Sequence, residues 1–356
     1  MNFKTFYHKA QNRLKDSVLS LWATGDAEMQ HYFEAILHKE GLMAEPVFQT
    51  AFPWEPSNIS FSETNGIFDE PFINALAAIK NEDYRFPKDR NPYKHQVESW
   101  DALLNKGKSI AVTTGTGSGK TECFMLPVLY DLYTNCRPGN GINALFLYPL
   151  NALIGSQKKR MDAWCKALNG LYYAVYNGNT PEDAKSEDKI DKLPELISRK
   201  QIRTLPPQIL FTNPSMLEYI LVRNKDVDLL KHSAGSLRWI LLDEAHTLTG
   251  SSAAEMALLI RRVVDAFQVD IRQLRFAITS ATVGGGEQNE KQLKSFMANL
   301  CGIPEENIQV ISGNRVLSPE LTATHSENTA QVAQLRKDIL NQPALTLSHI
   351  GDPFNA

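Results

Sequence analysis

The chain has 356 residues, of which 43% are hydrophobic and 22% are charged, and its formal net charge is −3 at pH 7. This length leaves room for one large α/β domain and a smaller appendage. The slight negative charge argues against a nucleic-acid binder that works through bulk positive charge, so any such contact would need a local basic surface.

The cysteines and the apolar runs indicate the cellular compartment in which the protein is expected. The four cysteines include no C-x-x-C pair, which argues against a zinc site in this chain and is typical of a reducing compartment. No apolar run approaches the ~18 residues that a membrane-spanning helix needs, and the N-terminus has no signal-peptide core. We therefore expect a cytoplasmic protein that does not contact a membrane.

Residues 1–85 are predicted to form a small, mainly helical N-terminal region. Apolar residues at helical spacing predict one helix over 3–21, a second over 29–37 and a short third over 71–80. Between the last two lies EPVFQTAFPWEPSN, an irregular segment rich in proline and aromatic residues. Its aromatic side chains either pack on the neighbouring domain, as most large aromatics do, or form a docking surface for a partner.

From residue 86 to residue 312, short apolar runs alternate with helical stretches. This alternation predicts an α/β fold with a mostly parallel sheet that is covered by helices on both faces. The predicted strands are SIAVTT, NALFLYP, YYAVYNG, QILFTNP, RWILLDE, RFAITSA and IQVIS. The predicted helices cover 120–135, 150–168, 215–223, 253–267 and 290–300. The mixed-charge run 181–192 is interpreted as a solvated excursion, and 313–356 as a linker with one helix over about 330–340.

The run that follows the first of these strands, TGTGSGKT, predicts a phosphate-binding loop. Its glycines let main-chain N–H groups surround a phosphate at the N-terminus of the next helix. Lys120 would reach the β- and γ-phosphates, and the Thr121 hydroxyl would ligate Mg²⁺. Thr114 stands where glycine or alanine is usual. The predicted ATP-binding residues of this loop are Thr114, Gly115, Thr116, Gly117, Ser118, Gly119, Lys120 and Thr121.

The stretch WILLDEAH places two carboxylates at the C-terminal end of a buried strand, which is the edge where open α/β sheets bind ligands. Alone, such a pair is more often a surface feature. With a phosphate loop upstream in the same sheet, Asp243 is predicted to hold Mg²⁺ and Glu244 to orient or activate the attacking water. Lys120, Asp243 and Glu244 are therefore the predicted catalytic residues.

With TGTGSGKT, DEAH and SAT in this order, the chain resembles a superfamily 2 DEAH-box helicase, and the resemblance covers a first RecA-like motor domain over about 90–312. The stretches LYPLNALIGSQ, YNGNTP and TNPSMLEYIL, and the two arginines of ALLIRRVVDAF, are similar to DEAH-box repair helicases whose relatives carry a C-terminal metal-binding domain. Bacterial mitomycin-repair and phage-defence helicases are of this type. The resemblance implies a RecA-like P-loop NTPase fold, use of ATP and Mg²⁺, and translocation on nucleic acid.

The resemblance also implies roles for single residues outside the phosphate loop. Gln96 matches the glutamine that reads the adenine edge, and Tyr93 and Phe86 are open candidates for stacking on the base. His246, Ser280 and Thr282 would couple the nucleotide site to nucleic acid.

Three loops match motifs that hold the backbone of one nucleic-acid strand through hydroxyls, amides and main-chain N–H groups, without reading its sequence. Lys158, Lys159 and Arg160, like the arginine pair at 261–262, either contact phosphates as well or belong to a solvated helix face. The predicted strand-contacting residues are Pro149, Asn151, Gly178, Thr180, Thr212 and Asn213.

Three interpretations of the function stay open at this point. The first is the ATP-binding half of a helicase that unwinds DNA, with 3′-to-5′ polarity, in repair or phage defence. The second is an RNA helicase, since loops that hold the backbone serve either nucleic acid. The third is an ATP-dependent switch or scaffold subunit of a defence or restriction complex.

The resemblance finally implies that a second RecA-like domain takes part in the activity. The chain continues for only about 75 residues after SAT, so we expect the second RecA-like domain, with its arginine finger, to lie outside it. An arginine finger contributes on the order of 10³–10⁵ in rate. The chain alone is therefore expected to be a nearly inactive ATP hydrolase.

Overall fold

Eight short strands form one parallel sheet in the computed structural model of the chain. The structure describes residues 3–40, 42–43, 52–115, 117–137, 139–149, 151–280 and 287–316. Residues up to Phe52 and residues 53–316 are separate compact units. The predicted helix over 330–340 and three predicted site or motif residues, Thr116, Leu150 and Thr282, lie outside the described residues.

The first unit contributes two helices, which pack on each other. Helix α1 spans Phe3–Trp22 and α2 spans Ala27–Glu40, so both predicted N-terminal helices are present. The Asp26 carboxylate accepts hydrogen bonds from the N–H groups of Glu28 and Met29, which begins α2 in the usual way for a capping aspartate.

In the second unit the sheet has the order β4-β3-β5-β2-β6-β7-β1-β8, and every neighbouring pair is parallel. The predicted α/β, RecA-like fold with a parallel sheet is confirmed. All seven predicted strands are present, and one short strand, β4, was not predicted. The strands are β1 Ser109–Val112, β2 Ala144–Leu147, β3 Tyr173–Val175, β4 Glu195–Leu196, β5 Ile209–Thr212, β6 Trp239–Leu242, β7 Arg275–Thr279 and β8 Ile308–Ile311.

Helices cover both faces of the sheet, as the alternating pattern predicted. They are α3 Glu70–Ala77, α4 Lys94–Leu104, α5 Lys120–Asn135, α6 Asn151–Ala167, α7 Ser186–Asp191, α8 Arg199–Thr204, α9 Pro214–Val222, α10 Val227–His232, α11 Ser251–Ala266 and α12 Glu287–Cys301. No helix in the described ranges is both long enough and apolar enough to span a bilayer.

The strands explain why two cores form. Successive side chains of a strand point to opposite faces, so Ala144 and Phe146 of β2 enter one hydrophobic cluster, whereas Leu145 and Leu147 enter the other. Both faces of the central strands are buried, which is why β2 and β6 are continuous apolar runs.

Residues before the sheet complete the first of these cores. Phe61, Phe68, Phe72 and Phe86 are fully buried around Trp100 of α4, with ring centroids 4.5 Å apart for Phe61–Phe86 and 5.1 Å apart for Phe68–Trp100. The segment 53–85 therefore packs within the same compact unit as the sheet. The domain boundaries at residues 85 and 312 stay predictions.

A short antiparallel contact ties the start of this unit to its end. Trp54 pairs with Arg315 across an isolated β-bridge, and the Arg315 guanidinium lies 4.0 Å from the Trp54 ring centroid. Trp54 is buried, so this aromatic packs and does not form an exposed docking surface.

Candidate functional site

The predicted motifs meet at one edge because all eight strands run the same way. The phosphate loop follows β1, the DEAH turn follows β6, and Ser280 follows β7, which lies between them. Parallel α/β sheets bind their ligands at this carboxyl edge. The sheet order therefore explains how residues more than a hundred positions apart in sequence come to share a site.

The phosphate loop has the backbone that its glycines predict. Gly117 and Gly119 have φ angles of 75° and 70°, in the left-handed region that favours glycine. A Cβ on Gly119 would lie 2.3 Å from the side-chain nitrogen of Gln96, so a larger residue there would displace the Gln96 amide from its contact with the loop. Helix α5 begins directly at Lys120, so its N-terminus and the lysine side chain are both available to a phosphate.

Thr114 departs from the usual pattern for a structural reason. Its hydroxyl shares a hydrogen bond of 2.5 Å with the Ser118 hydroxyl, and both residues are buried. The threonine thus ties the beginning of the loop to its far side, which an alanine or a glycine could not do.

Two adjacent residues of α4, His95 and Gln96, form hydrogen bonds to carbonyl groups of the phosphate loop. The Gln96 side-chain amide donates to the Gly119 carbonyl at 3.2 Å and accepts from the Tyr93 N–H at 2.9 Å. His95 contacts the Ser118 carbonyl through Nε2 at 2.8 Å, and since a carbonyl oxygen only accepts, that nitrogen carries the proton. Burial lowers the pKa of His95, partly opposed by the Ser118 carbonyl and by Glu122, which favours the neutral ring at pH 7.

The two candidates for base stacking differ in their surroundings. Phe86 is fully buried in the aromatic core, so its ring is not available to a nucleotide. Tyr93 is half-buried and stacks on His95, with 5.5 Å between ring centroids. Tyr93 is the candidate that stays open.

The DEAH turn is tied to the sheet by a threonine that the sequence did not single out. Thr279, the last residue of β7, donates its hydroxyl hydrogen to the Asp243 carboxylate and accepts from the Glu244 N–H at 3.0 Å. Glu244 itself has left-handed backbone, with φ 54°, which is unfavourable for a residue other than glycine. Its carboxylate lies 3.2 Å from Nδ1 of His246.

Ser280 connects this turn to the strand that carries the phosphate loop. Its N–H donates to the Val112 carbonyl of β1 at 3.0 Å, and the residue is buried. The predicted coupling residue therefore lies between the two halves of the nucleotide site.

The three predicted nucleic-acid loops lie at the ends of β2, β3 and β5. Pro149, Gly178 and Asn179 are exposed. The hydroxyl of Thr180 donates to the Val175 carbonyl at 2.8 Å and accepts from the Asn177 N–H at 2.9 Å. These loops therefore present main chain at their exposed positions.

The side chains of the loop at 212–213 also form hydrogen bonds within the protein. The buried Thr212 hydroxyl donates to the Tyr176 carbonyl at 2.8 Å, and the Asn213 side chain accepts from the Met216 N–H, which begins α9. The backbone of Asn151 begins α6. In this structure the two threonine hydroxyls bond to main chain, and the contact of these loops with nucleic acid stays a prediction.

The sequence interpretation missed the residues that support the Gly178 loop. Arg199 of α8 donates to the Asn177 carbonyl at 3.1 Å. Below it, the fully buried Asp226 accepts from Arg203 at 2.7 Å and from the Tyr176 hydroxyl at 2.6 Å. Burial, together with the Asp226 carboxylate, raises the pKa of Tyr176 to about 12. The one available signal was the i, i+4 spacing of the two arginines in RKQIR.

Four of the five basic residues that were candidates for phosphate contacts have partners within the protein. Lys158 lies 2.8 Å from the Glu195 carboxylate, Arg160 lies 3.3 Å from that of Glu122, and Arg262 pairs with Glu218. Arg261 donates to the Leu300 carbonyl at 2.9 Å. Lys159 is exposed.

A parallel sheet with a glycine-rich phosphate loop, a DEAH turn and three loops along its carboxyl edge defines the motor domain of a helicase. The model of the DEAD/DEAH box helicase family matches residues 93–290, which is more than half of the chain, so the chain belongs to this family.

Two curated relatives make the resemblance more specific. Druantia protein DruE of Escherichia coli (strain UMEA 4076-1) is 24% identical in an alignment that covers 92% of this chain and 22% of DruE. The uncharacterized ATP-dependent helicase YprA of Bacillus subtilis (strain 168) is 27% identical over 72% of this chain and 32% of its own length. The chain thus spans less than a third of either relative.

Solved structures agree with this assignment. The crystal structure of the DUF1998 helicase MrfA bound to DNA and AMPPNP matches with a TM-score of 0.52 and 25% identity, over 86% of this chain and 39% of that one. Mss116p bound to ssRNA and AMP-PNP matches with a TM-score of 0.53 and 13% identity, over 81% of this chain and 54% of that one, and this likeness shows the fold alone. The predicted resemblance to helicases of the repair and defence type is confirmed.

Proposed function

We propose that the chain is the ATP-binding half of a DNA helicase or translocase that acts in DNA repair or phage defence. The observation that carries this proposal is the Thr279 bridge, which holds Asp243 and Glu244 at the same sheet edge as the phosphate loop. DNA is the preferred substrate because MrfA, the solved structure with 25% identity, is bound to DNA.

In the proposed mechanism, main-chain N–H groups of the loop and Lys120 bind the β- and γ-phosphates. Glu244 orients the attacking water, and His246 contacts the Glu244 carboxylate through Nδ1 at 3.2 Å. Ser280 and Thr282 relay the nucleotide state to the loops at 149–151, 178–180 and 212–213. Gln96 is buried and its amide bonds to Gly119 and Tyr93, so reading the adenine edge requires it to exchange one of these partners for the base.

The residues at the site fit Mg²⁺. A threonine hydroxyl at Thr121 and a carboxylate at Asp243 are hard oxygen ligands, and Mg²⁺ in such sites takes one or two protein oxygens and completes its shell with phosphate and water. In agreement, the described residues contain no cluster of three or more His, Cys, Asp or Glu side chains that would hold a metal by itself. When bound, Mg²⁺ neutralises charge on the phosphate oxygens.

Two substitutions in the full-length protein test the nucleotide site. Lys120→Ala is expected to abolish binding of a fluorescent ATP analogue, whereas Glu244→Gln is expected to keep binding and lose DNA-stimulated hydrolysis. Lys291→Ala, an exposed position on α12, is the matched control and should behave as the wild type. Equal nucleotide affinity in Lys120→Ala and wild type would refute the proposed site.

The choice of DNA over RNA has its own test. The full-length protein is expected to unwind a DNA duplex with a 3′ single-stranded tail, and to leave the matched RNA duplex paired. Preferential unwinding of the RNA duplex would support the RNA helicase instead. Unwinding only from a 5′ tail would overturn the proposed polarity.

A second candidate function is an ATP-dependent switch or scaffold subunit in a multi-subunit defence complex. The observation that favours it is the exposure of large apolar side chains on the N-terminal helices, with Leu21 78%, Trp22 68% and Tyr32 65% exposed. Unwinding by the isolated full-length protein would favour the helicase, and unwinding only after addition of a partner would favour the switch.

A further inference from the structure

Glu122 lies in the first turn of α5, two residues after Lys120, and is held on several sides. Its N–H donates to the Gly119 carbonyl at 3.2 Å, and its own carbonyl accepts from the Trp100 indole at 2.9 Å. One carboxylate oxygen faces Arg160 at 3.3 Å, and the other is buried without a hydrogen-bond partner among the described residues. The backbone of Glu122 is thus held next to the phosphate loop, and its carboxylate faces Arg160.

Arg160 belongs to the helix on the other side of this contact, α6. Its guanidinium lies 5.7 Å from the ring centroid of Trp164, and the indole of Trp164 donates to the Tyr84 carbonyl at 2.8 Å. The pair is largely shielded from solvent, with 25% of the Arg160 side chain and 15% of the Glu122 side chain exposed. An ion pair in such surroundings is screened less than a surface pair.

Arg160 also acts electrostatically on the residue that leads into a predicted nucleic-acid loop. Tyr148, which precedes Pro149, has its pKa raised by burial and by Asp243, and Arg160 acts in the opposite direction. The N–H of Tyr148 donates to the Thr212 carbonyl at 3.1 Å, in a second such loop. The Arg160 guanidinium therefore connects the phosphate-loop helix α5 to the middle of α6, and it acts electrostatically on Tyr148, the residue before Pro149.

We propose that the Glu122–Arg160 ion pair is a positioning element that couples nucleotide binding to nucleic-acid binding. It rests on the proposed function, because it requires that the loop at 149–151 contacts nucleic acid. A bound triphosphate places negative charge beside the first turn of α5, which favours the orientation of the Glu122 carboxylate toward Arg160. Fixing Arg160 then fixes α6, whose first turn belongs to the strand-contacting loop. By linkage, nucleic acid strengthens nucleotide binding by the same factor.

The test is a double-mutant cycle on this coupling factor in the full-length protein. The Kd of a non-hydrolysable ATP analogue is measured with and without saturating oligo-dT for wild type, Glu122→Gln, Arg160→Gln and the double variant. We expect DNA to tighten nucleotide binding about fivefold or more in the wild type, within the usual range of coupling. Each single variant should reduce this factor to less than about twofold, and the double variant should match the singles, since both break one interaction.

The matched control is Glu195→Gln. It also changes a buried carboxylate that pairs with a cation of α6, Lys158, but that carboxylate belongs to β4 and not to α5. Glu195→Gln should keep the wild-type factor, and Arg160→Lys should restore part of it. Thermal unfolding of each variant checks that the fold is intact.

The outcomes separate this inference from the proposed function. A wild-type factor retained in both single variants, or an equal loss in Glu195→Gln, overturns the coupling role. A wild-type protein that binds ATP analogue and oligo-dT independently also overturns it, while leaving the proposed function in place. A wild-type protein that binds no nucleotide would refute the proposed function itself.

Discussion

The Thr279 hydroxyl positions the two acidic residues of the DEAH turn, Asp243 and Glu244. By donating to the Asp243 carboxylate and accepting from the Glu244 N–H, it sets where the two acidic side chains of the DEAH turn lie. Groups that orient the ligands and bases of a catalytic site typically contribute 10–100-fold to activity.

We expect Thr279→Val in the full-length protein to lower the kcat for ATP about 10–100-fold. The Kd for nucleotide should change much less, because the phosphate loop follows a different strand. The control is Thr134→Val, which removes a hydroxyl that bonds only to the main chain of α5. Steady-state ATP hydrolysis checks this, and a kcat equal to that of the wild type would show that the bridge has no role in hydrolysis.

Asp131 is a buried carboxylate of α5 that bonds to the first residue of β6, Trp239, at the end of this strand opposite the DEAH turn. Burial disfavours its charged form, but hydrogen bonds from Arg238, at 2.7 and 2.8 Å, and from Trp239, at 2.6 Å, outweigh burial and lower the pKa of Asp131. A carboxylate whose pKa is lowered by folding stabilises the native state above its unfolded pKa, near 3.8, and loses that contribution as the pH falls through the folded pKa.

Asp131→Asn is therefore expected to lower the free energy of unfolding by about 3 kcal/mol at pH 7, because a partly buried arginine loses its partner. Below pH 4 the wild type should lose part of this advantage, so the two urea midpoints should converge. Asp188→Asn, on exposed α7, serves as the control. A difference between wild type and Asp131→Asn that is the same at pH 7 and pH 3 would contradict the assignment.

At the scale of elements, α8 is the short helix that supports the predicted nucleic-acid loop at 178–180. Arg203 and Asp226 form a buried pair under Tyr176, and Arg199 binds the loop carbonyl above it. A loop that is already ordered loses less entropy when it binds a ligand.

Arg203→Gln is expected to weaken binding of oligo-dT about tenfold, which corresponds to about 1.4 kcal/mol, and to leave the nucleotide Kd without DNA within about twofold. Lys200→Gln on the same helix, whose side chain is 70% exposed, is the control. Fluorescence anisotropy measures both. If Arg203→Gln lowers the thermal stability but not the affinity for oligo-dT, the pair supports the fold alone.

The elements that the sequence predicted are those with an apolar signature. Each of the seven predicted strands is a run of residues buried on both faces, and α11 has a continuous apolar stripe. Helix α4 was missed because its buried face carries His95, Gln96 and Ser99, which give no apolar periodicity. Strand β4 has two residues, and α8 buries only Ile202. Strand β4 and helix α8 are joined to distant segments by the ion pairs Lys158–Glu195 and Arg203–Asp226, which no local pattern reveals.

The same distinction applies to the site. The phosphate loop and DEAH turn could be predicted because main-chain geometry around a phosphate demands glycines at fixed spacing. Thr279, Arg203 and the Glu122–Arg160 pair could not, since each acts through a contact that exists only after the sheet has assembled.

For the whole molecule, the described residues build one RecA-like sheet and one set of loops along its carboxyl edge. From the resemblance to superfamily 2 helicases, we propose that a second RecA-like domain completes the ATP site with an arginine finger. Without that cation, charge that develops on the transferred phosphoryl group is stabilised only from one side.

The 356-residue chain alone is therefore expected to hydrolyse ATP about 10³-fold or more slowly than the full-length protein with saturating single-stranded DNA, the lower end of the usual contribution of an arginine finger. Its nucleotide binding should be weak but specific, and it should disappear in the Lys120→Ala variant of the same chain. That variant also gives the background from contaminating hydrolases. Fast hydrolysis by the chain alone that responds to DNA and is lost in Lys120→Ala would mean that one RecA-like domain contains all the catalytic groups, and the dependence on a second domain would have to be abandoned.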